Sequence, residues 1–370
     1  MPRQDAVSSR FAGSDMRVDG AGDSLAVSGS RNGYSNLMRV LAAFGVVCGH
    51  VATRAIYSDP NPADPQWLFS AYFGVYCLWT LPCFIMISGD MFAARGQPTT
   101  AMWTRRIGRI GVLTLAAAAF FIFISWAVRR DLGEIGLVSA ALGGPPFEHL
   151  WYMYFIVGLY ALAPWLMRLL EAMPGRVFEA AIVMLFLASA YGALPGQPGW
   201  MKIPLGLCLI SYFLIGAYMR GLPRPKPMEG VIWVAVFVLA GVLAGYAGTH
   251  MVLSYGIFAA FGFAGSLGGP AAALMAVAVF RLVHFLPVPA WSARLAPATF
   301  IIYIIHPLWI VGLEKLGFTV AWQGHMIGLP LFCITVFAAS ALSALALRWL
   351  KQKIWASVPG LRWRLHYPDA

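Results

Sequence analysis

Charged residues are scarce in this chain. Asp, Glu, Lys and Arg make up 11% of its 370 residues, whereas 60% are hydrophobic and the mean hydropathy is +0.72. A soluble domain usually carries about 25% charged residues. The composition therefore excludes a soluble globular protein and indicates an integral membrane protein. Because the apolar runs recur throughout the chain, we predict a single membrane domain.

Two other absences narrow the class of protein. The five cysteines lie within apolar runs and form no close pair at metal-ligand spacing, so we predict neither disulfides nor a metal site. The formal net charge is +11, but the basic residues form short clusters between apolar runs rather than a basic stripe. That arrangement is typical of membrane topology and argues against nucleic-acid binding.

The two ends of the chain differ from its middle. Residues 1–34 are rich in Ser, Gly, Asp and Arg and contain no apolar stretch, so we predict no cleavable signal peptide, which needs an apolar core. We expect a disordered cytoplasmic tail over residues 1–34, a membrane domain over 35–350 and a second cytoplasmic tail over 351–370.

Ten apolar runs approach the length at which a helix crosses a bilayer, about 20 residues. They cover residues 36–56, 68–92, 107–128, 149–169, 177–194, 203–220, 230–249, 266–286, 297–315 and 327–349. We therefore expect an all-α polytopic membrane bundle of about ten transmembrane helices, with both termini on one side. That side holds all of the 26 Lys and Arg residues except Arg54, Arg129, Arg130, Lys202 and Lys315. The bias predicts that both termini are cytoplasmic.

Carboxylates are missing from the centres of the predicted spans, which disfavours a proton- or ion-coupled transporter, since such proteins commonly place Asp or Glu there. Two histidines do lie deep. His50 follows Arg39 by roughly 16 Å of helix, and His306 follows Pro297 by roughly 14 Å. Both spans enter from the same side, so the two imidazoles reach similar depth. Histidine suits proton transfer near neutral pH. The alternative is a packing role, in which His50 bonds a neighbouring helix or His306 repairs a kink at Pro307.

Two polar clusters mark the ends of predicted spans. Arg105, Arg106 and Arg109 open the third span on the inner side. Their guanidinium groups either bind phosphate oxygens or only anchor the helix as cytoplasmic charges. The fourth span opens on the outer side with a second cluster, formed by Glu148, His149, Trp151 and Tyr152. Its aromatic rings suit an interface belt, whereas Glu148 and His149 suit contact with a polar acceptor.

Five short motifs occur in order along the predicted membrane domain. They are Arg39 followed after ten residues by His50, Leu81-Pro82-Cys83-Phe84-Ile85-Met86-Ile87-Ser88-Gly89, Arg105-Arg106 with Arg109, His149-Leu150-Trp151-Tyr152, and Ile302-Tyr303-Ile304-Ile305-His306-Pro307. Together they resemble the signatures of the acyltransferase 3 family of integral membrane acyltransferases, and look closest to the branch that O-acetylates bacterial surface polysaccharides. Asp90 departs from the family pattern, which often has an apolar or aromatic residue there, and we assign it only local packing.

The resemblance implies a membrane O-acyltransferase in the bacterial inner membrane. It would move an acetyl or other short acyl group from cytoplasmic acyl-CoA to a hydroxyl of a cell-surface polysaccharide or its lipid-linked precursor. Acetyl-CoA is then a donor substrate and no cofactor is bound permanently. The acceptor is a carbohydrate or glycolipid. A transporter or flippase for a lipid-linked sugar is the alternative, and it predicts no cleavage of acyl-CoA.

The resemblance implies that the first-helix histidine is the essential catalytic group, and the positions of the other residues suggest their roles. His50 is expected to be the catalytic base, with His306 as its hydrogen-bond partner or positioning residue, and an acyl-His50 intermediate is the alternative mechanism. The residues assigned to the CoA phosphates are Arg39, Arg105, Arg106 and Arg109. Those assigned to the acceptor are Glu148, His149, Trp151 and Tyr152.

Overall fold

The computed structural model describes residues 21–58, 61–94, 100–129, 148–194, 196–197, 199–256 and 267–357. Within these ranges every regular element is helical, which confirms the all-α prediction. The α-helices of the described chain are α1 (Ala21–Ser58), α2 (Pro65–Val75), α3 (Thr80–Ala94), α4 (Thr100–Arg129), α5 (Trp151–Ala172), α6 (Gly175–Gly192), α7 (Ile203–Arg220), α8 (Pro227–Tyr255), α9 (Pro270–Leu282), α10 (Ala290–Leu295), α11 (Thr299–Lys315) and α12 (His325–Ser357). Single 3-10 turns lie between several of them.

The described chain contains eight helical segments that are long and apolar enough to cross a membrane. They are Gly33–Ser58, Pro65–Ala94, Trp103–Ile124, Trp151–Ala172, Gly175–Gly192, Pro227–Tyr255, Ala290–Lys315 and His325–Lys353. Two shorter apolar helices, Gly206–Arg220 and Pro270–Phe285, occupy the predicted sixth and eighth spans. The protein is therefore a multi-pass membrane protein, and each predicted span corresponds to a helical segment.

Three boundaries differ from the predicted ones. The second span consists of α2 and α3 with a turn at residues 76–79 between them. The eighth is short because Gly268 and Gly269 precede Pro270, which opens α9 and has no N–H to extend a helix backwards. The first helix begins at Ala21, inside the predicted tail, since adding a residue to an existing helix needs no new nucleus. Residues 1–20 and 358–370 of the two predicted tails lie outside the described ranges.

The chain divides into two compact units. The first unit comprises the described residues within Phe84–Arg224 and Leu267–Ala273. The second unit comprises Gly20–Cys83, Pro225–Ser266 and Leu274–Ala370.

The core of the second unit lies where α1, α11 and α12 pack together. Val47 and Val51 of α1, Ile302 of α11, and Phe332 and Val336 of α12 belong to one buried apolar cluster. Burying a side chain of this size stabilises the folded state by about 1.5–3 kcal/mol in water. Inside a bilayer, close packing and hydrogen bonds contribute in place of water exclusion.

In the first unit α3 crosses α7 at very short range. A Cβ atom on Gly89 would overlap the backbone carbonyl of Phe213, and one on Gly216 would overlap the backbone of Met86. Glycine is required at both positions because only a residue without a Cβ lets two backbones approach so closely. The Ser88-Gly89 pair thus serves helix packing, and Ser88 also accepts a hydrogen bond from the hydroxyl of Tyr160 at 3.1 Å.

Candidate active site

The two deep histidines meet inside the second unit. The rings of His50, on α1, and His306, on α11, lie with their centroids 5.0 Å apart and their planes at 45°. His306 is fully buried, whereas His50 is partly exposed. The two histidines that we predict to lie deep in the membrane therefore contact each other. Their similar depth stays a prediction.

A hydrogen bond to the backbone fixes the ring of His306. Its Nδ1 lies 2.7 Å from the carbonyl oxygen of Tyr303. A carbonyl only accepts, so Nδ1 carries the proton and donates. In the neutral ring Nε2 is then the acceptor nitrogen. The carbonyl of Tyr303 needs this donor because its usual helical partner, residue 307, is a proline without an N–H. His306 thus compensates the kink at Pro307, and the same bond selects one tautomer of its ring.

An ion pair lies beyond the histidines on the same two helices. Arg54 Nη1 is 2.6 Å from Glu314 Oε2, and the two side chains are 48% and 27% exposed. Arg54 follows His50 by one helical turn, and Glu314 follows His306 by two. The sequence alone could have indicated this contact, because Arg54 and Glu314 carry opposite charges and lie near the same end of the first and ninth predicted spans.

The α4 arginines belong to the first unit. The guanidinium of Arg106 lies over the ring of Phe92, 4.6 Å from its centroid, while Arg105 and Arg109 are exposed. A cation stacked on a ring face still directs its N–H groups outward in the guanidinium plane. Arg39 lies on α1 in the second unit, partly buried, eleven residues before His50. The four predicted phosphate ligands are thus divided between the two units.

The predicted acceptor segment folds into a 3-10 turn, Glu148–Leu150, that leads into α5. His149 is buried, with its ring edge-on to Phe121 at a centroid distance of 5.1 Å. Tyr152 is also buried, and the partly exposed Trp151 contacts it at a centroid distance of 6.2 Å. The side chain of Glu148 lies outside what the structure describes. His149 and Tyr152 therefore pack within the first unit, and their contact with an acceptor stays a prediction.

Asp90 forms an ion pair within the first unit. Its Oδ1 accepts a hydrogen bond from Arg220 Nη1 at 3.0 Å. The bond joins α3 to α7 next to the glycine crossing, which agrees with the local packing role given to Asp90.

A groove of about 680 Å³ runs between α11 and α12, away from the histidine pair. Its α11 lining is Ile305, Leu308, Trp309 and Gly312. The buried positions of that helix are different ones, namely Thr299, Ile302, Tyr303, His306 and Ile310. The groove is apolar, as expected of a surface that faces lipid tails.

Comparison with known proteins agrees with the motifs. The family model described as acyltransferase domain, that of the acyltransferase 3 family, matches residues 32–348. No curated protein and no solved structure matches the chain. The match spans all five motifs and nearly every described helix. This chain therefore belongs to the acyltransferase 3 family of membrane acyltransferases.

Proposed function

We propose that the protein is a membrane O-acyltransferase that moves an acetyl group, or another short acyl group, from cytoplasmic acyl-CoA to a hydroxyl. The proposed acceptor is a cell-surface polysaccharide or its lipid-linked precursor. Family membership supports acyl transfer. The observation that carries the mechanism is the contact between His50 and His306 in the middle of two membrane helices. Ionisable side chains inside a membrane are energetically costly, so a pair of them indicates a functional site.

His50 is the proposed general base. A hydroxyl is a weak nucleophile until a base removes its proton as attack begins. One nitrogen of His50 takes that proton, and the other donates to a neighbouring acceptor, as in other base-and-orienter pairs. His306 suits the orienting part because the Tyr303 carbonyl holds the proton on Nδ1, which makes Nε2 an acceptor. His306 is thus a positioning residue for His50.

The proposed step needs no external redox partner or metal. The acceptor oxygen bonds to the thioester carbonyl carbon as its proton passes to His50. The carbon–sulfur bond then breaks, and the CoA thiolate leaves with the electron pair. The proton held by His50 is released to solvent or to the thiolate, so the base is restored. The products are an ester and free CoA.

The donor and acceptor assignments complete the proposal. Arg105, Arg106 and Arg109 suit CoA phosphates because guanidinium groups bind phosphate oxygens in a bidentate manner, and stacking on Phe92 limits the motion of Arg106. Arg39 is assigned to the same ligand from its place before His50 on α1. The acceptor-binding assignment remains Glu148, His149, Trp151 and Tyr152. The proposed location is the bacterial inner membrane with both termini in the cytoplasm.

The direct test follows the acyl group. Membranes with the full chain receive acetyl-CoA labelled in the acetyl group, and alkali-labile label is measured in the carbohydrate and lipid fractions. We expect labelled ester with the wild type, a large loss with His306→Ala and a smaller loss with His306→Gln, whose amide oxygen can replace Nε2 as acceptor. Tyr303→Phe is the matched control, because the bond uses the backbone carbonyl. Absence of labelled ester together with intact acetyl-CoA would contradict the proposed function.

A further inference from the structure

The Arg54–Glu314 ion pair is aligned with the histidine pair along two helices. Residues four apart share a helix face, so Arg54 lies about 6 Å beyond His50 on the same side of α1. Glu314, eight residues beyond His306, belongs to the same row of α11. The bias of Lys and Arg toward the cytoplasmic loops predicts that this end of both helices lies on the outer side of the membrane. A molecule that approaches His50 from that side meets the ion pair first.

Stability does not explain this pair. With side chains 48% and 27% exposed, it resembles the surface ion pairs that contribute little to folding. Moreover, α1 and α11 are already joined by buried apolar contacts that include Val47, Val51 and Ile302. The two charges are thus not needed to hold the helices together.

We propose that Arg54 and Glu314 form a binding site for a hydroxyl-rich, uncharged acceptor such as a sugar, and place its reacting hydroxyl near His50. This inference rests on the proposed function and names the acceptor-side residues of the same site. A carboxylate accepts hydrogen bonds from hydroxyl groups, and a guanidinium has five donors for hydroxyl oxygens. The single contact between Nη1 and Oε2 uses a small part of that capacity. Because the two charges cancel, the site favours a neutral polyol over a charged ligand.

The experiment compares two acceptors in membranes that contain the full chain. The first is a mixture of the methyl glycosides of glucose, galactose, mannose and N-acetylglucosamine, and the second is 1-propanol, which has a single hydroxyl. Acetyl-CoA cleavage and ester formation are measured together for wild type, Arg54→Gln and Glu314→Gln. Glu229→Gln is the matched control, because it breaks an ion pair with Arg281 of similar length, 3.0 Å, in the same unit.

We expect the wild type to prefer the glycosides. Arg54→Gln and Glu314→Gln should each raise the KM for glycosides about tenfold, the effect of losing a hydrogen bond to a charged group. The KM for acetyl-CoA and the rate of transfer to 1-propanol should stay at wild-type values, whereas acetyl-CoA cleavage with glycosides should fall in step with transfer to them. Every parameter of Glu229→Gln should stay at the wild-type value. The charge-reversed double variant, Arg54→Glu with Glu314→Arg, should not restore the glycoside KM.

Four results would overturn the proposal. Equal losses of transfer to glycosides and to 1-propanol would show that the ion pair only joins the two helices. Recovery of the glycoside KM in the charge-reversed double variant would show the same. A wild type that cleaves acetyl-CoA without preferring glycosides would reject this site but leave acyl transfer intact. A wild type that does not cleave acetyl-CoA would reject the proposed function itself, and this site with it.

Discussion

At two of the prolines inside the described helices, an aromatic N–H donates to the backbone carbonyl that the proline leaves without its usual donor. Residue 164 is the proline opposite the carbonyl of Tyr160, which accepts from Trp103 Nε1 at 2.7 Å. Residue 307 is the proline opposite the carbonyl of Tyr303, which accepts from His306 Nδ1 at 2.7 Å. Indole has one nitrogen and imidazole has two. The donor therefore has no second nitrogen in one helix, whereas in the other the ring keeps Nε2, the nitrogen that the proposed role of His306 requires.

Replacing Pro307 by Ala tests that difference. Alanine supplies a backbone N–H for the Tyr303 carbonyl, so His306 loses its fixed tautomer while the helix gains a regular bond. We expect acetyl-CoA turnover to fall about fivefold or more, the effect of roughly 1 kcal/mol, with thermal stability unchanged or raised. Pro164→Ala is the control and should keep wild-type turnover. Wild-type turnover in Pro307→Ala would show that acetyl-CoA turnover does not depend on the tautomer of His306.

The crossing of α3 and α7 in the first unit depends on glycine, which has no side chain. Gly89 and Gly216 let α3 and α7 approach until their backbones touch. Tyr160 and the Asp90–Arg220 ion pair add polar contacts near that crossing. Such small-residue contacts are the usual basis of helix association in membranes.

Gly89→Ala should therefore destabilise the protein. The new methyl group meets the rigid backbone of Phe213, so the helices must separate, at a cost of about 1–3 kcal/mol or more. Unfolding can be followed with a thiol-reactive dye, because Cys48, Cys83, Cys208 and Cys333 are free and buried. We expect a midpoint several degrees below wild type. Gly158→Ala, with no atom near the added Cβ, should unfold no earlier than wild type. Equal midpoints would argue against the close crossing.

The basic start of α4 has its own test. If Arg105 and Arg106 bind CoA phosphates, replacing both by Gln should raise the KM for acetyl-CoA about tenfold or more, since each charged hydrogen bond contributes about 1.5–3 kcal/mol. Acetyl-dephospho-CoA lacks one phosphate and should therefore have a higher KM than acetyl-CoA with the wild type. Its KM should rise less than that of acetyl-CoA when the two arginines are replaced. Arg168→Gln, at an exposed position of α5, is the control. An unchanged KM would leave the two arginines as membrane anchors.

Two short helices determine on which side of the membrane the connection at residues 221–226 lies. Gly206–Arg220 and Pro270–Phe285 are apolar but shorter than the other spans. If both cross, the connection at residues 221–226 is cytoplasmic, in line with Arg224 and Lys226 there. If α7 does not cross, the same connection lies outside.

Reporter fusions at residues 221–226 distinguish these arrangements. We expect a fluorescent protein inserted there to fold and fluoresce, and alkaline phosphatase inserted there to be inactive. The two reporters should give the same results when fused to the C-terminus. A phosphatase inserted within residues 130–147 should be active and serves as the outside control. Phosphatase activity at residues 221–226 would contradict the ten-span arrangement.

Hydropathy and helical register predicted much of this molecule. Apolar run length located the helical segments. Rise per residue predicts similar depth for His50 and His306, and the structure brings their rings into contact. Register alone does not fix how a helix is rotated against its neighbours, so the ring contact and the ion pair depended on packing. The break between α2 and α3 was missed because residues 76–79 are as apolar as the helices around them. Pro307 indicates that a backbone carbonyl lacks its usual donor and that His306 can repair the kink, but the sequence does not show which nitrogen of the ring donates.

The most direct measurement is acetyl-CoA cleavage in membranes of wild type, His50→Ala and His250→Ala at matched protein levels. His250 is an exposed histidine of the same unit and controls for the loss of an imidazole. The account predicts cleavage by the wild type and His250→Ala, and a loss of about 10²-fold or more in His50→Ala, as expected when a general base is removed. Cleavage at the wild-type rate in His50→Ala would contradict it.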